Sequence, residues 1–364
     1  MNLELTEEQV ALRDTARRFL AEKAPISGHV RALLDDETGT TDAVWRGLAD
    51  LGTTGLLVPV ECGGAGMTMV EAGIVAEELG AALHPGPWLS TAVAAPRTLT
   101  RIGADAAAAS ILTGIADGTT TATVGPLDDT SIPAVDGGVL RGEIALPDAA
   151  AADVLLVFAD GGGTELFAVK SDSPGVSVTP ERGIDQTRKH FRVAFDDVAA
   201  QPLAAPPAGA IAAVVDDVLI ATAADALGAA RAVMELAIEY AKVRAQFGQA
   251  IGSFQAIQHL CVDMYETVEL ARSADRCRSS ASALSAAHSA WITPLRAKAF
   301  AGRLATVGDT AIQVFGGIGF TWEHDAHLYL KRLLSWSALL GGPDRYLTEL
   351  GRTLTKPKKK GCSA

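Results

Sequence analysis

Cysteine is scarce: Cys62, Cys261, Cys277 and Cys362 are the only four in 364 residues. None sits in a C-x-x-C pair, which argues against a zinc site and a disulfide framework and predicts a reduced, cytoplasmic protein. No apolar run approaches the ~18 residues of a membrane span. The first residues, MNLELTEEQV, lack the basic-then-apolar layout of a secretory leader. Basic residues are also in deficit, 31 Lys and Arg against 43 Asp and Glu, for a net charge of −12. A surface of that sign repels a phosphate backbone, so neither nucleic acid nor membrane is expected as a partner. The exception is KPKKK at 356–360, which reads as part of a solvated, flexible basic tail spanning 351–364.

What is present is ordinary globular composition, 48% hydrophobic and 20% charged, with apolar mass for more than one core. At about 100–200 residues per domain, two or three domains are expected. Residues 1–120 read as a helical domain. Thr6 with Gln9 and Thr68 with Glu71 fit capping boxes, and Leu12, Ala16, Phe19 and Leu20 keep helical spacing. Asp42 is placed to cap a short helix that Gly52 ends, and Pro85-Gly86-Pro87 breaks the chain. From 121 to 207 the pattern changes to short β-branched and aromatic runs, TATVGPL, VLLVFAD, TELFAVK, GVSVTP and HFRVAF, separated by glycine-rich turns. This predicts a small, mostly antiparallel β-domain without the phosphate fingerprint of a dinucleotide βαβ unit. Residues 208–350 are helical again, with long tracts over 214–242, 253–287 and 294–314, as in an antiparallel bundle.

One stretch resists that pattern. QVFGGIGF, residues 313–320, places three glycines in a helix-forming tract, each costing about 1 kcal/mol in a helix interior. Either the chain turns there, or its backbone comes close to something bulky. The helix–β–helix order, this segment, VPVECGGAGMTMVEAGIVAEELG (58–80) and YAKVRAQFGQAIGSFQAIQH (240–259) together resemble the acyl-CoA dehydrogenase family across nearly the whole chain. The matching patterns are R-x-x-F-G followed by F-Q, and Q-x-x-G-G-x-G-aromatic.

The resemblance implies a mainly α fold with a central β-domain and a C-terminal antiparallel four-helix bundle. It also implies FAD as cofactor, an acyl-CoA thioester as substrate, and desaturation at the α,β bond. In the family these two motifs hold the ADP half of an FAD whose flavin ring lies in the neighbouring subunit. Carried onto this chain, the contacts are Arg244, Phe247, Ile251, Gln255, Gln313, Gly316 and Gly317. Arg244 and Phe247, three apart, are expected on one helix face, with Ile251 and Gln255 one and two turns further on.

The reacting half is what departs from the family. Abstraction of the α-proton needs a positioned carboxylate. Its usual position, after the glycine motif, falls at Leu340; its alternative position, on the earlier long helix, falls at Val218. Asp217 and Asp216 lie beside Val218, one residue being about 100° around a helix. Asp217 is thus the reserve candidate, ahead of Asp344 and Glu323. The β-domain stretches GPLDDTSIPAVDGG and EIALPDAAAADVLLV lack the family's tryptophan and threonine/serine set. His190, His259, His324 and His327 have no metal-ligand spacing. No catalytic residue is assigned. The chain therefore resembles the non-catalytic β subunit of actinobacterial α2β2 acyl-CoA dehydrogenases of steroid side-chain degradation. Two alternatives stay open: a self-sufficient homo-oligomer using an unusual base such as Asp217, and a cofactor-free structural subunit.

Overall fold

The computed structural model describes residues 4–103, 106–128, 132–281, 298 and 302–355. Five helices come first: α1 (Glu7–Lys23), α2 (Asp42–Asp50), α3 (Met69–Ala81), α4 (Ala95–Ile102) and α5 (Ala106–Ala116). The capping boxes form as their spacing requires. Thr6 N–H donates to Gln9 Oε1 at 3.1 Å, and Thr68 N–H to Glu71 Oε2 at 3.0 Å. At α2 the cap is Thr41, whose hydroxyl accepts from Val44 N–H. Asp42 is instead the first helical residue, where its negative charge faces the positive end of the helix dipole.

Eight strands follow: β1 (Ala122–Gly125), β2 (Ala134–Asp136), β3 (Val139–Pro147), β4 (Val154–Asp160), β5 (Thr164–Lys170), β6 (Val176–Glu181), β7 (His190–Ala199) and β8 (Gln201–Ala204). They form one sheet in the order β6-β7-β3-β2-β4-β5-β8, with β1 added to β4 in parallel and most other pairs antiparallel. Central β4 is almost wholly buried. One set of its side chains, Leu156 and Phe158, packs with α5 and the start of the next helix; the other, Leu155 and Val157, packs with β3 and β7. Residues 129–131, in the stretch compared above with a family loop, lie outside the described residues.

The C-terminal part begins with α6 (Ala210–Val243), 34 residues and about 51 Å long. A two-residue-strand hairpin, β9 (Ala245–Gln246) and β10 (Gln249–Ala250), precedes α7 (Gln255–Ala281). The bundle is completed by α8 (Leu304–Phe315) and α9 (Ala326–Ala338), and α10 (Pro343–Thr355) closes it. The expected second tract reached residue 287 and the third began at 294; residues 282–297 lie outside the described residues. Residues 351–355, expected in the tail, instead continue α10, because Tyr346 and Leu350 pack on the bundle core. The remainder of the expected tail, 356–364, lies outside the described residues. Among the described residues no helix is long and apolar enough to cross a membrane.

The N-terminal helices are locked to the bundle where α3 crosses α6. A Cβ on Gly80 would lie 1.9 Å from the Asp225 carbonyl oxygen, and one on Gly228 1.7 Å from that of Glu77. The two backbones are therefore in direct contact, and only glycine fits. Beside the crossing, buried Glu78 accepts from Arg17 on α1 and Arg231 on α6. Just beyond α3, the rings of His84 and His29 stack at 6.0 Å, nearly parallel. Among the described residues, both His84 ring nitrogens are buried without a partner. Burial first, then His29, Arg332 and Arg188, hold His84 down at about 3, with Asp225 opposing.

Two outcomes follow from this packing. Gly228→Ala should cost about 3 kcal/mol, read as a lower denaturation midpoint with unchanged slope; an unchanged midpoint would disprove the close crossing. The His84 pKa is depressed on folding, so the unfolded chain binds the extra proton between pH 6.5 and 3, and stability falls as pH falls through that window. By pH 5 the loss is roughly 2 kcal/mol. His84→Phe should flatten the difference between denaturation midpoints at pH 7 and pH 5, and an equal slope in both proteins would count against it.

Candidate functional site

Helices α6 and α8 finish at the same end of the bundle, where the Tyr240 ring stands 5.1 Å from that of Phe315. Phe315 in turn packs against His324 at 4.3 Å. The two motifs singled out in the sequence start at these helix ends, so the fold brings them together. Their local geometry differs from the expected one. Arg244 and Phe247 do not share a helix face: α6 stops at Val243, and Arg244 is its extended cap. Phe247 (φ 53°) and Gly248 (φ 82°) form the tip of the β9–β10 hairpin. Two consecutive left-handed residues are what a tight two-residue hairpin needs and what an α-helix cannot hold. Nor do Ile251 and Gln255 continue a face of α6. Ile251 N–H donates to the Arg244 carbonyl at 2.8 Å, its side chain packs partly into the bundle core, and Gln255 opens α7.

The hairpin presents its functional groups outward. Arg244 is exposed, and among the described residues no carboxylate pairs with it. Phe247 is 92% exposed, with the Phe254 ring edge-on to it, ring centres 6.1 Å apart. Gln313 is exposed on the last turn of α8. Of the three glycines, Gly319 is fixed by its own chain, since a Cβ there would sit 3.0 Å from Phe315 Cβ. Gly316 ends α8 with φ 64°. Gly317 has neither constraint: a Cβ would meet nothing within 4 Å. Phe320 and Trp322, not selected from the sequence, add 74% and 59% exposed aromatic surface at this end. Only the terminal aromatic of the glycine motif could have signalled the first of them. His327 lies edge-on to Trp322 at 4.7 Å, a packing role, as is the Nδ1 of His324 accepting from Ala326 N–H.

An unpaired guanidinium, exposed aromatic rings and backbone without Cβ atoms suit a nucleotide diphosphate. A guanidinium forks onto pyrophosphate oxygens, rings stack on a base, and glycine lets a bulky group approach the main chain. The residues present thus fit the ADP half of FAD.

The two positions examined for a base lie elsewhere, together. Val218 and Leu340 both line a cavity of about 230 Å³ between α6, α9 and the β-domain. Neither can take a proton. Asp217 is buried on the neighbouring face of α6 and accepts from both Arg97 Nε and Arg101 Nε at 2.7 Å. Its Oδ2 takes both bonds and anchors α4, which accounts for a buried aspartate without catalysis. Asp216 is half-buried; burial and then the Asp217 charge push it up to about 7, but it does not line the cavity. Asp344 lies in the first turn of α10 and Glu323 is exposed. The cavity's own carboxylates are Asp128, Asp148 and Asp225. Asp225 is claimed by Arg188 and Arg332, whose charges offset burial and keep its pKa low. Burial pushes Asp148 up, against a hydrogen bond from Ser90.

Comparison with known proteins matches residues 6–119 to the acyl-CoA dehydrogenase N-terminal domain and residues 219–351 to its C-terminal domain. The chain is 34% identical over 352 residues to acyl-CoA dehydrogenase IpdE2 of Mycobacterium tuberculosis, covering 94% of this chain and 96% of that protein. Among solved structures, a chain of the ChsE4–ChsE5 complex from Mycobacterium tuberculosis superposes with a TM-score of 0.89 at 25% identity, covering 98% of this chain and 100% of that one. A chain of the Tcur3481–Tcur3483 steroid ACAD gives 0.85 at 28% identity, covering 96% and 98%.

The role given to Asp217 has a direct consequence. Asp217→Asn leaves two partly buried arginines short of a counter-charge and should cost about 2 kcal/mol, measured by denaturant unfolding. A variant as stable as the parent would release Asp217 for another role.

Proposed function

Because this chain belongs to the acyl-CoA dehydrogenase family, we propose that it is the subunit that completes an FAD site for a separate catalytic chain. Members are FAD-dependent oxidoreductases acting on CH–CH bonds. The observation that carries the proposal is the contrast between two regions. The cavity holds valine and leucine where the family places its base, while the bundle end keeps an open arginine, exposed aromatics and accessible glycines.

In this reading Arg244 binds the pyrophosphate, Phe247 lies against the nucleotide, and the backbone at Gly316 and Gly317 closes on it. Gln313 offers an amide to the same group, and Gln255, at the start of α7, borders the site. Ile251 acts by packing: it fixes the hairpin so that Arg244 points outward. Bound FAD supplies the hydride acceptor, and the partner's carboxylate removes the α-proton. The assembly is an α2β2 heterotetramer with one FAD per pair. Two likenesses support it, to the ChsE4–ChsE5 complex and to a two-component steroid ACAD. They also suggest a bulky steroid side-chain CoA ester as substrate. Against the homo-oligomeric alternative, Asp217 is held by two arginines.

The test is co-purification with the catalytic chain and measurement of flavin per pair. One FAD per pair is expected, and Arg244→Ala should lower affinity about tenfold or more, the worth of a charge-assisted hydrogen bond. Turnover should vanish when the partner's catalytic carboxylate is replaced by the matching amide. Full flavin loading and dye-linked turnover by this chain alone would overturn the proposal, and flavin content indifferent to Arg244 would favour a cofactor-free structural subunit.

A further inference from the structure

The interdomain cavity has lost its base positions, yet its chemistry is not blank. One part of its wall is apolar, formed by Leu127, Val218, Leu339 and Leu340. Another carries hydrogen-bond donors without acceptors. Arg188 commits Nη2 to Asp225, and among the described residues its side chain has no other hydrogen-bond partner, so Nε and Nη1 are left over. Trp336 lines the same cavity, is buried, and among the described residues has its indole N–H without a partner. Asp148 is buried and accepts from Ser90, and burial raises its pKa. The ammonium of Lys189 does not compete, because it is bonded to the Leu33 and Leu34 carbonyls at 2.7 and 2.9 Å.

A buried donor without an acceptor is costly, and Trp336 and Arg188 border a chamber large enough for a guest. An apolar cavity of about 150 Å³ holds a benzene ring; this one offers about 230 Å³. The acceptor that a guanidinium bonds most strongly is an anionic oxygen such as a carboxylate's. We propose that this cavity binds a small organic carboxylate with a compact apolar body, an alicyclic or branched acid. Its carboxylate accepts a charge-assisted hydrogen bond from Arg188, and its ring lies against Val218, Leu339 and Leu340. The site takes the free acid without transforming it and does not depend on the FAD assignment at the far end of the bundle.

Calorimetric titration of the full-length protein, in the complex in which it is isolated, tests this with cyclohexanecarboxylate and the isosteric neutral cyclohexanecarboxamide. The acid should bind at least tenfold more tightly than the amide. Arg188→Gln should remove that preference. Arg188 also pairs with Asp225, so a second variant, Val218→Phe, fills the apolar end while leaving the ion cluster untouched; it should abolish binding of the acid. Equal affinity for acid and amide, no binding of the acid to the unmodified protein, or unchanged binding to Val218→Phe would each overturn the proposal.

Discussion

The carboxylate of Asp225 is shared by two guanidiniums at the point where all three parts of the chain meet. It lies on α6; Arg332 reaches it from α9 and Arg188 from the segment ahead of β7. Arg332 also donates to Thr187 Oγ1 in the β-domain and to the His84 carbonyl beyond α3. Removing one member of such a cluster leaves a buried charge uncompensated, which costs about 3–5 kcal/mol, although a wholly apolar replacement could be as stable. Its contribution is therefore placement rather than raw stability: four segments distant in sequence must be in register before the charges balance. The Gly80–Gly228 contact sits directly beside it, since the Asp225 carbonyl is what a Cβ on Gly80 would strike.

That node also divides the molecule chemically. On its β-domain side lies the cavity, where hydrophobic side chains occupy both positions in which a proton acceptor would be useful. Away from it, at the end of α6 and α8, the hairpin and glycine turn present charge, aromatic surface and bare backbone outward. An arginine without a carboxylate and a phenylalanine almost fully in solvent are poor choices for an isolated chain, because exposed aromatic surface goes unrewarded. They make sense where another molecule completes the surface. Inside the cavity Asp225 is held by two guanidiniums and Asp148 accepts from Ser90.

Much of the fold was legible in the sequence. Thr6, Thr68 and their partners three residues on marked helix starts because the capping box is a local interaction, and the β-branched runs marked strands by composition alone. The Asp42 assignment erred by one residue because Thr41 and Asp42 are both competent caps, and only backbone geometry separates them. The hairpin at 245–250 was missed for a related reason. R-x-x-F-G has helical spacing, and nothing local announces that Phe247 accepts a left-handed conformation. The β9–β10 pairing and the packing of Ile251 on the bundle core accompany that turn.

The sequence by itself determined the order of helical, β and helical segments, the scarcity of proton acceptors at the two expected base positions, and the pair of motifs that belong together. These depend on periodicity, residue identity and short-range spacing, which one dimension records. Tertiary structure alone decided that Val218 and Leu340 share a cavity and that Asp217 is held by two arginines. It also decided that the ends of α6 and α8 coincide, and that Arg188 keeps donors to spare. Each of these joins residues far apart along the chain, and such contacts are set by how helices and sheet pack, which no local pattern encodes.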